Sequence, residues 1–288
     1  MWTWRSICGS RPLTIDVHDE TQTKTKDMKK IITCLLAMLG LTSACGHAKE
    51  QREQSQMSSS EAQQNFETDE FKTKSGKAVK FHALVHASIR IQYDGKEIEI
   101  DPVTKLGNKV IDYTAMPKAD YLFVTHEHGD HFSQEAINIL SGEHTRFITN
   151  RRCADMYGSG EVMKNGDKIQ LADDMTVEAV PAYNTTEGHT QFHPQGRDNG
   201  YILTIDGLRI YIAGDTEDIP EMESIKDIDI AFLPSTQPYT MTPEQLVKAA
   251  RTVQPKVLFP YHYGQTDVSG IPAQLQGDGI DVRIRHYE

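Results

Sequence analysis

The chain has 288 residues, of which 38% are hydrophobic and 25% charged, with a formal net charge of −11. Such a composition is ordinary for a soluble globular core. The acidic surplus disfavours a polyanionic partner, so no nucleic-acid binding is expected.

In chain order, residues 1–27 carry no targeting logic and read as an artefact of start assignment, with translation starting at Met28. From there a basic pair, Lys29-Lys30, precedes the mostly apolar stretch 31–41 and then Thr42-Ser43-Ala44-Cys45. Basic, apolar and small-residue regions in that order make 28–44 a secretory signal, too short to span a bilayer as a mature helix. Small residues closing on a cysteine resemble a bacterial lipoprotein signal. The resemblance implies lipidation at Cys45, a membrane anchor, and a place in the cell envelope facing the periplasm or exterior. Residues 45–75 are dominated by Lys, Glu, Gln, Ser and Thr and bury too little to offset ordering, which predicts a flexible linker. With Cys8 and Cys34 removed and Cys45 acylated, Cys153 stands alone as a semi-buried residue and no disulfide framework is left.

Residues 76–288 remain for one domain, long enough for a substantial core. The spans 82–93 and 97–100 read as a hairpin around Asp94-Gly95. Strands follow at 121–125, 146–149, 168–171 and 176–180, then at 201–206 and 209–213 as a hairpin through Gly207, then at 228–233 and 256–261. A helix is expected near 134–140, with Ser133 as its N-cap, and another near 243–252. This order suits an α/β architecture of two mixed sheets between helices, with strand ends converging on one edge.

The chemistry concentrates between strand 121–125 and helix 134–140, in His126-Glu127-His128-Gly129-Asp130-His131. Neutral imidazole and carboxylate suit Zn²⁺, and Gly129 lets the backbone bend. His126 and His128 can share one metal while Asp130 and His131 reach a second. Glu127 is expected to face solvent. Two later strands end on further ligands: Asp215, whose carboxylate can bridge two metals, and His262, which fills the second site. Tyr183 and Tyr263 flank these positions and either donate to an oxyanion of the substrate or pack as ordinary tyrosines. Tyr239 and Met241 either line a pocket or precede a helix capped by Thr242 with Pro243 in its first turn.

Together these residues resemble the metallo-β-lactamase superfamily. The likeness covers most of 79–288, through His86-Ala87-Ser88, Ile100-Asp101-Pro102, and the segments 125–131, 211–216 and 260–264. It looks most like the branch that includes ascorbate-6-phosphate lactonases and N-acyl-phosphatidylethanolamine phospholipase D. The resemblance implies a four-layer αββα sandwich and a further histidine ligand between the first cluster and Asp215. His193, stiffened by Pro194, is the favoured candidate, and His189 is expected to face substrate or solvent. The ligand in related sequences often sits nearer Asn184, where this chain carries an amide.

The implied cofactors are two divalent ions, zinc first, with Mn²⁺ or Fe²⁺ as alternatives. The implied activity is hydrolysis of an ester-type bond by a hydroxide held between the ions and oriented by Asp130. A phosphodiester or phospholipid and a lactone are equal candidates, so the partner is a small-molecule or lipid-like substrate. Two other functions fit the same ligands: a non-catalytic zinc-binding or sensing lipoprotein, and an iron-dependent oxidoreductase of the same fold.

Overall fold

The structure, a computed structural model, describes residues 64–287. The expected signal peptide, Cys45 and most of the expected linker lie outside the described residues. Among the described residues no helix is long and apolar enough to cross a membrane.

The first sheet runs in the order β1 (Glu67–Lys72), β2 (Ala78–Val85), β3 (Ser88–Tyr93), β4 (Lys96–Ile100), β7 (Tyr121–Val124), β8 (Arg146–Thr149) and β9 (Glu161–Val162). A small hairpin, β5 (Lys105–Leu106) with β6 (Lys109–Val110), stands apart from it. The second sheet keeps sequence order: β10 (Lys168–Ala172), β11 (Met175–Ala182), β12 (Asp198–Ile205), β13 (Leu208–Ile212), β14 (Ile230–Pro234), β15 (Val257–Tyr261) and β16 (Asp281–Val282). Each sheet begins antiparallel and turns parallel, through β4, β7 and β8 in one and β13 to β16 in the other.

Period-two patterning sets the layers. Ile89, Ile91 and Tyr93 of β3, Ile210 and Ile212 of β13, and Phe232 of β14 all enter one buried cluster shared by the two sheets. The alternate residues Tyr211, Ala231 and Leu233 face away from it, toward α3 (Pro243–Val253), which contributes Leu246, Ala250 and Val253. On the outer face of the first sheet, α1 (Gln134–Leu140) buries Ala136, Ile137 and Leu140, and α2 (Arg151–Tyr157) adds Cys153. A short helix, α4 (Ile271–Gln274), buries Ile271 beside α3. The result is the expected helix, sheet, sheet, helix sandwich.

Helix ends follow their local chemistry. Thr242 and Gln245 exchange side-chain and backbone bonds as a capping box, and Pro243 opens the first turn of α3. Ser133 Oγ accepts the Ala136 N–H at 3.2 Å, which starts α1 at the residue expected. Met241 is fully buried beneath α3, so it lines no pocket. Cys153 is fully buried rather than half-buried, and burial pushes its thiol up to about 12.

Three expectations change. The segment read as flexible linker already contains β1, whose backbone pairs with β2 from Glu67 to Lys72. Its polar strand is held at the far side by Asp69, which receives Arg283 and Arg285 at 2.7–2.9 Å. The run 82–93 is two strands rather than one, because the chain turns at His86, where φ is 55°. Helix α2 was not expected at all; Asn150 starts it, its Oδ1 accepting the Cys153 N–H at 2.8 Å.

Candidate metal centre

Parallel strands of both sheets end at the same edge, where open α/β sheets place their ligands. β4 delivers Asp101, β7 delivers Thr125 and the histidine loop, β13 delivers Asp215 and β15 delivers His262. The histidine loop closes on itself, with the His131 and Phe132 N–H groups donating to His128 O at 3.0 and 2.9 Å. Gly214, just before Asp215, has φ 66°, and a Cβ there would lie 2.9 Å from Asn199 O, so glycine is required.

Two groups of donor atoms result, each within 4.8 Å, and a third, His126, His131 and Asp215, overlaps both. In the first, His126 Nε2 is 3.0 Å from His128 Nδ1, which is 3.2 Å from His193 Nε2. In the second, Asp130 Oδ2 is 3.5 Å from His262 Nε2, 4.0 Å from His131 Nε2 and 3.3 Å from His86 Nε2. Asp215 lies between them. Its Oδ1 is 3.2 Å from His131 Nε2, and its Oδ2 is 3.3 Å from both His193 Nε2 and His262 Nε2.

Buried polar atoms normally find partners. Here His131 Nε2, His262 Nε2 and Asp215 Oδ1 are buried without a hydrogen bond among the described residues, and all three converge on the second group. Imidazole and carboxylate donors left unbonded and facing one point fit a divalent cation.

The rear nitrogens are tied down, which fixes which nitrogen faces inward. His131 Nδ1 is 2.8 Å from Asp101 Oδ2, and the same carboxylate accepts the Thr125 N–H at 2.7 Å and hydroxyl at 2.8 Å. His126 Nδ1 is 3.0 Å from Thr125 Oγ1, and His262 Nδ1 is 2.9 Å from Thr236 Oγ1. His193 Nδ1 sits 3.0 Å from Asn184 Oδ1 and 3.2 Å from the Tyr239 carbonyl, while Asn184 Nδ2 donates to that carbonyl at 2.7 Å.

Burial, with the neighbouring His131, holds His126 well below the usual imidazole range, and burial takes His193 down to about 4. For His131 burial works in the same direction, but Asp215, Asp101 and Asp130 overcome it and push the ring well above that range. The carboxylates thus concentrate negative charge on the second group, where a cation would meet it.

Of the residues anticipated as ligands, His126, His128, Asp130, His131, His193, Asp215 and His262 come together. His189, expected to face substrate or solvent rather than to ligate, is 3.4 Å from Glu217 and lies outside the donor groups. Asn184, the amide at the ligand-like position, instead positions His193. Tyr183 donates its hydroxyl to Glu221 at 2.9 Å and Tyr263 to the Arg285 carbonyl at 2.6 Å, so both hydroxyls are engaged elsewhere. Tyr239 is at the rim, 46% exposed, its ring edge-on to Phe192 at 4.9 Å. Glu127 turns away from solvent, its side chain 6% exposed between Arg152 and Arg197 at 3.0 and 3.2 Å. His86 and Asp101 were not anticipated in the site, although each closes an apolar β-rich run at the same edge.

A profile described as the beta-lactamase superfamily domain matches residues 80–262. A UPF0173 metal-dependent hydrolase from Methanopyrus kandleri is 26% identical over 216 residues, covering 70% of this chain and 93% of that protein. Another from Ligilactobacillus salivarius is 34% identical over 187 residues, covering 62% of this chain and 82% of the relative. Among solved structures, a proposed metal-dependent hydrolase from Parabacteroides distasonis is 52% identical with a TM-score of 0.75, covering 78% of this chain and all of that one. The relatives do not single out the lactonase or phospholipase branch. With the sandwich, the converging strand ends and the two donor groups, they lead to one conclusion: the chain belongs to the beta-lactamase superfamily and is a metal-dependent hydrolase.

Proposed function

We propose that this hydrolase cleaves an ester-type bond, in a phosphodiester or phospholipid or in a lactone, with two divalent cations in the two donor groups. The observation that carries the proposal is Asp215, whose Oδ2 is 3.3 Å from both His193 Nε2 of the first group and His262 Nε2 of the second, while its Oδ1 is 3.2 Å from His131 Nε2 of the second. His126, His128 and His193 would hold the first cation, with a donor set suited to zinc, and Asp130, His131 and His262 the second. Bound cations of this kind make water nucleophilic near neutral pH and polarise the bond under attack.

The chain's own residues supply the rest. Asp130 has 33% of its side chain exposed, whereas Asp215 has 3%, so Asp130 is the carboxylate placed to accept a hydrogen bond from the attacking water and orient it. The Tyr239 and Phe192 rings flank the opening beside His193 and give an apolar wall to a lipid-like substrate. Lipidation of Cys45 would hold the enzyme at the envelope membrane, where such substrates are concentrated.

The amide of Asn184, which stands where related sequences often carry the ligand, bonds His193 at 3.0 Å and so positions a donor, which favours the enzyme over a non-catalytic zinc-binding lipoprotein. The test is turnover of bis(p-nitrophenyl) phosphate and of simple lactones by protein reconstituted with zinc or manganese. Hydrolysis of either, lost in Asp130→Ala, is expected. Two bound ions with no turnover of any ester would overturn the assignment.

A further inference from the structure

We infer that His86 is a fifth donor to the second cation group, and that this makes the two metal positions chemically unequal. The inference rests on the dinuclear site proposed above. The first group offers three imidazoles and a share of Asp215, the number of donors that tetrahedral zinc takes. The second offers Asp130, His131, His262 and Asp215, and then His86 as well. Five protein donors exceed a tetrahedron. They suit an ion that accepts five or six ligands of mixed nitrogen and oxygen, such as Mn²⁺ or Fe²⁺.

The position of His86 is built rather than incidental. Its ring is 3.7 Å, centroid to centroid, from that of His262, and its Nε2 is 3.3 Å from Asp130 Oδ2. Its backbone takes φ 55°, a conformation that a bulky side chain rarely adopts without a reason. That conformation is held from both sides: the His86 N–H donates to the Tyr287 carbonyl at 3.0 Å, and its own carbonyl accepts the His262 N–H at 3.2 Å. His262 has φ 48°, so two facing histidines are presented by two left-handed residues bonded to each other. A histidine needed only to turn the chain between β2 and β3 would be served better by glycine or asparagine.

The inference is tested on the full chain, stripped with a chelator and titrated separately with Mn²⁺ and Zn²⁺. His86→Asn and His86→Gly both tolerate positive φ, and near-UV circular dichroism checks that they fold. In wild type two ions per chain are expected. In the variants one position should keep its Zn²⁺ affinity, while Mn²⁺ binding at the other weakens at least about tenfold, the scale seen when a metal site loses even an outer partner. Added imidazole should restore Mn²⁺ binding to His86→Gly by filling the space of the lost ring. Should neither variant fold in the metal-free state, the same titrations are made after folding in imidazole, and loss of Mn²⁺ when the imidazole is dialysed away is expected. Equal weakening of Mn²⁺ and Zn²⁺, or unchanged binding of both, overturns the role of His86 and leaves the dinuclear proposal standing. Failure of the wild type to bind either ion overturns both.

Discussion

Asp101 grips His131 from behind, with Oδ2 2.8 Å from the ring Nδ1 and its other oxygen accepting the Thr125 N–H at 2.7 Å. One carboxylate therefore fixes both the end of β7 and the orientation of a ligand two turns of chain later. Asp101→Asn keeps the shape and removes the charge. Cation affinity at the second group should fall about 10- to 100-fold with the fold intact. Calorimetric metal titration checks this, and unchanged affinity would mean that packing alone orients the ring.

His193 and His189 should separate cleanly. His193→Ala removes a donor and is expected to abolish one of two bound ions, measured by elemental analysis, whereas His189→Ala should leave both. Asn184→Ala frees the rear nitrogen of His193 and should weaken the same ion by about tenfold.

Acid stability should depend on Asp69. Burial alone would raise its pKa, but Arg285 and Arg283 hold it below the usual carboxylate range. A depressed carboxylate contributes stability above its unfolded pKa, about 3.9, and loses it as pH falls through the lower native value. Asp69→Asn should therefore cost about 1–3 kcal/mol at pH 7, with the gap to wild type closing in acid as pH falls through the lowered native value. Urea denaturation at pH 7 and in acid measures it, and a gap independent of pH would assign the effect to shape.

The core between the sheets has its own test. Phe232 is 1% exposed, and its ring stacks on Phe259 at 4.9 Å and 11°. Phe232→Ala should lower unfolding free energy by about 3–5 kcal/mol. The metal-loaded and metal-free forms should lose similar amounts, because the position lies in the apolar layer and not among the ligands.

The proposed membrane attachment rests on lipidation of Cys45. Cys45→Ala should leave hydrolase activity and move the protein from the membrane to the soluble fraction after cell breakage. A variant that stays with the membrane would sink the lipid anchor.

The elements legible in the sequence were those whose signal is local. Ser133, Thr242 and Pro243 announce helix starts because capping is a contact between neighbours. Alternating apolar residues exposed the strands of the second sheet for the same reason. The turn at His86 was hidden because 82–93 is rich in apolar and β-forming residues on both sides of it with no Gly or Pro between, and only the pairing of β2 with β3 reveals the break. Likewise β1 carries a polar sequence and becomes a strand through Asp69 and the distant Arg283 and Arg285. Within the site, the dense loop 126–131 declared itself, whereas Asp101 acts at a distance of many residues and looks like any acid at a strand end. Asn184 was read against ligand positions in related proteins, and its bond to His193 depends on a loop that folds back over nine residues.

The hydrogen bonds that run from Tyr287 through His86 to His262 join the last described residue to the turn between β2 and β3. During synthesis the early strands can pair long before that final segment exists. The backbone support of His86 by Tyr287, by contrast, is completed only when residue 287 is in place. A chain cut before Tyr287 would lose one of the two backbone bonds that hold His86 in its left-handed conformation.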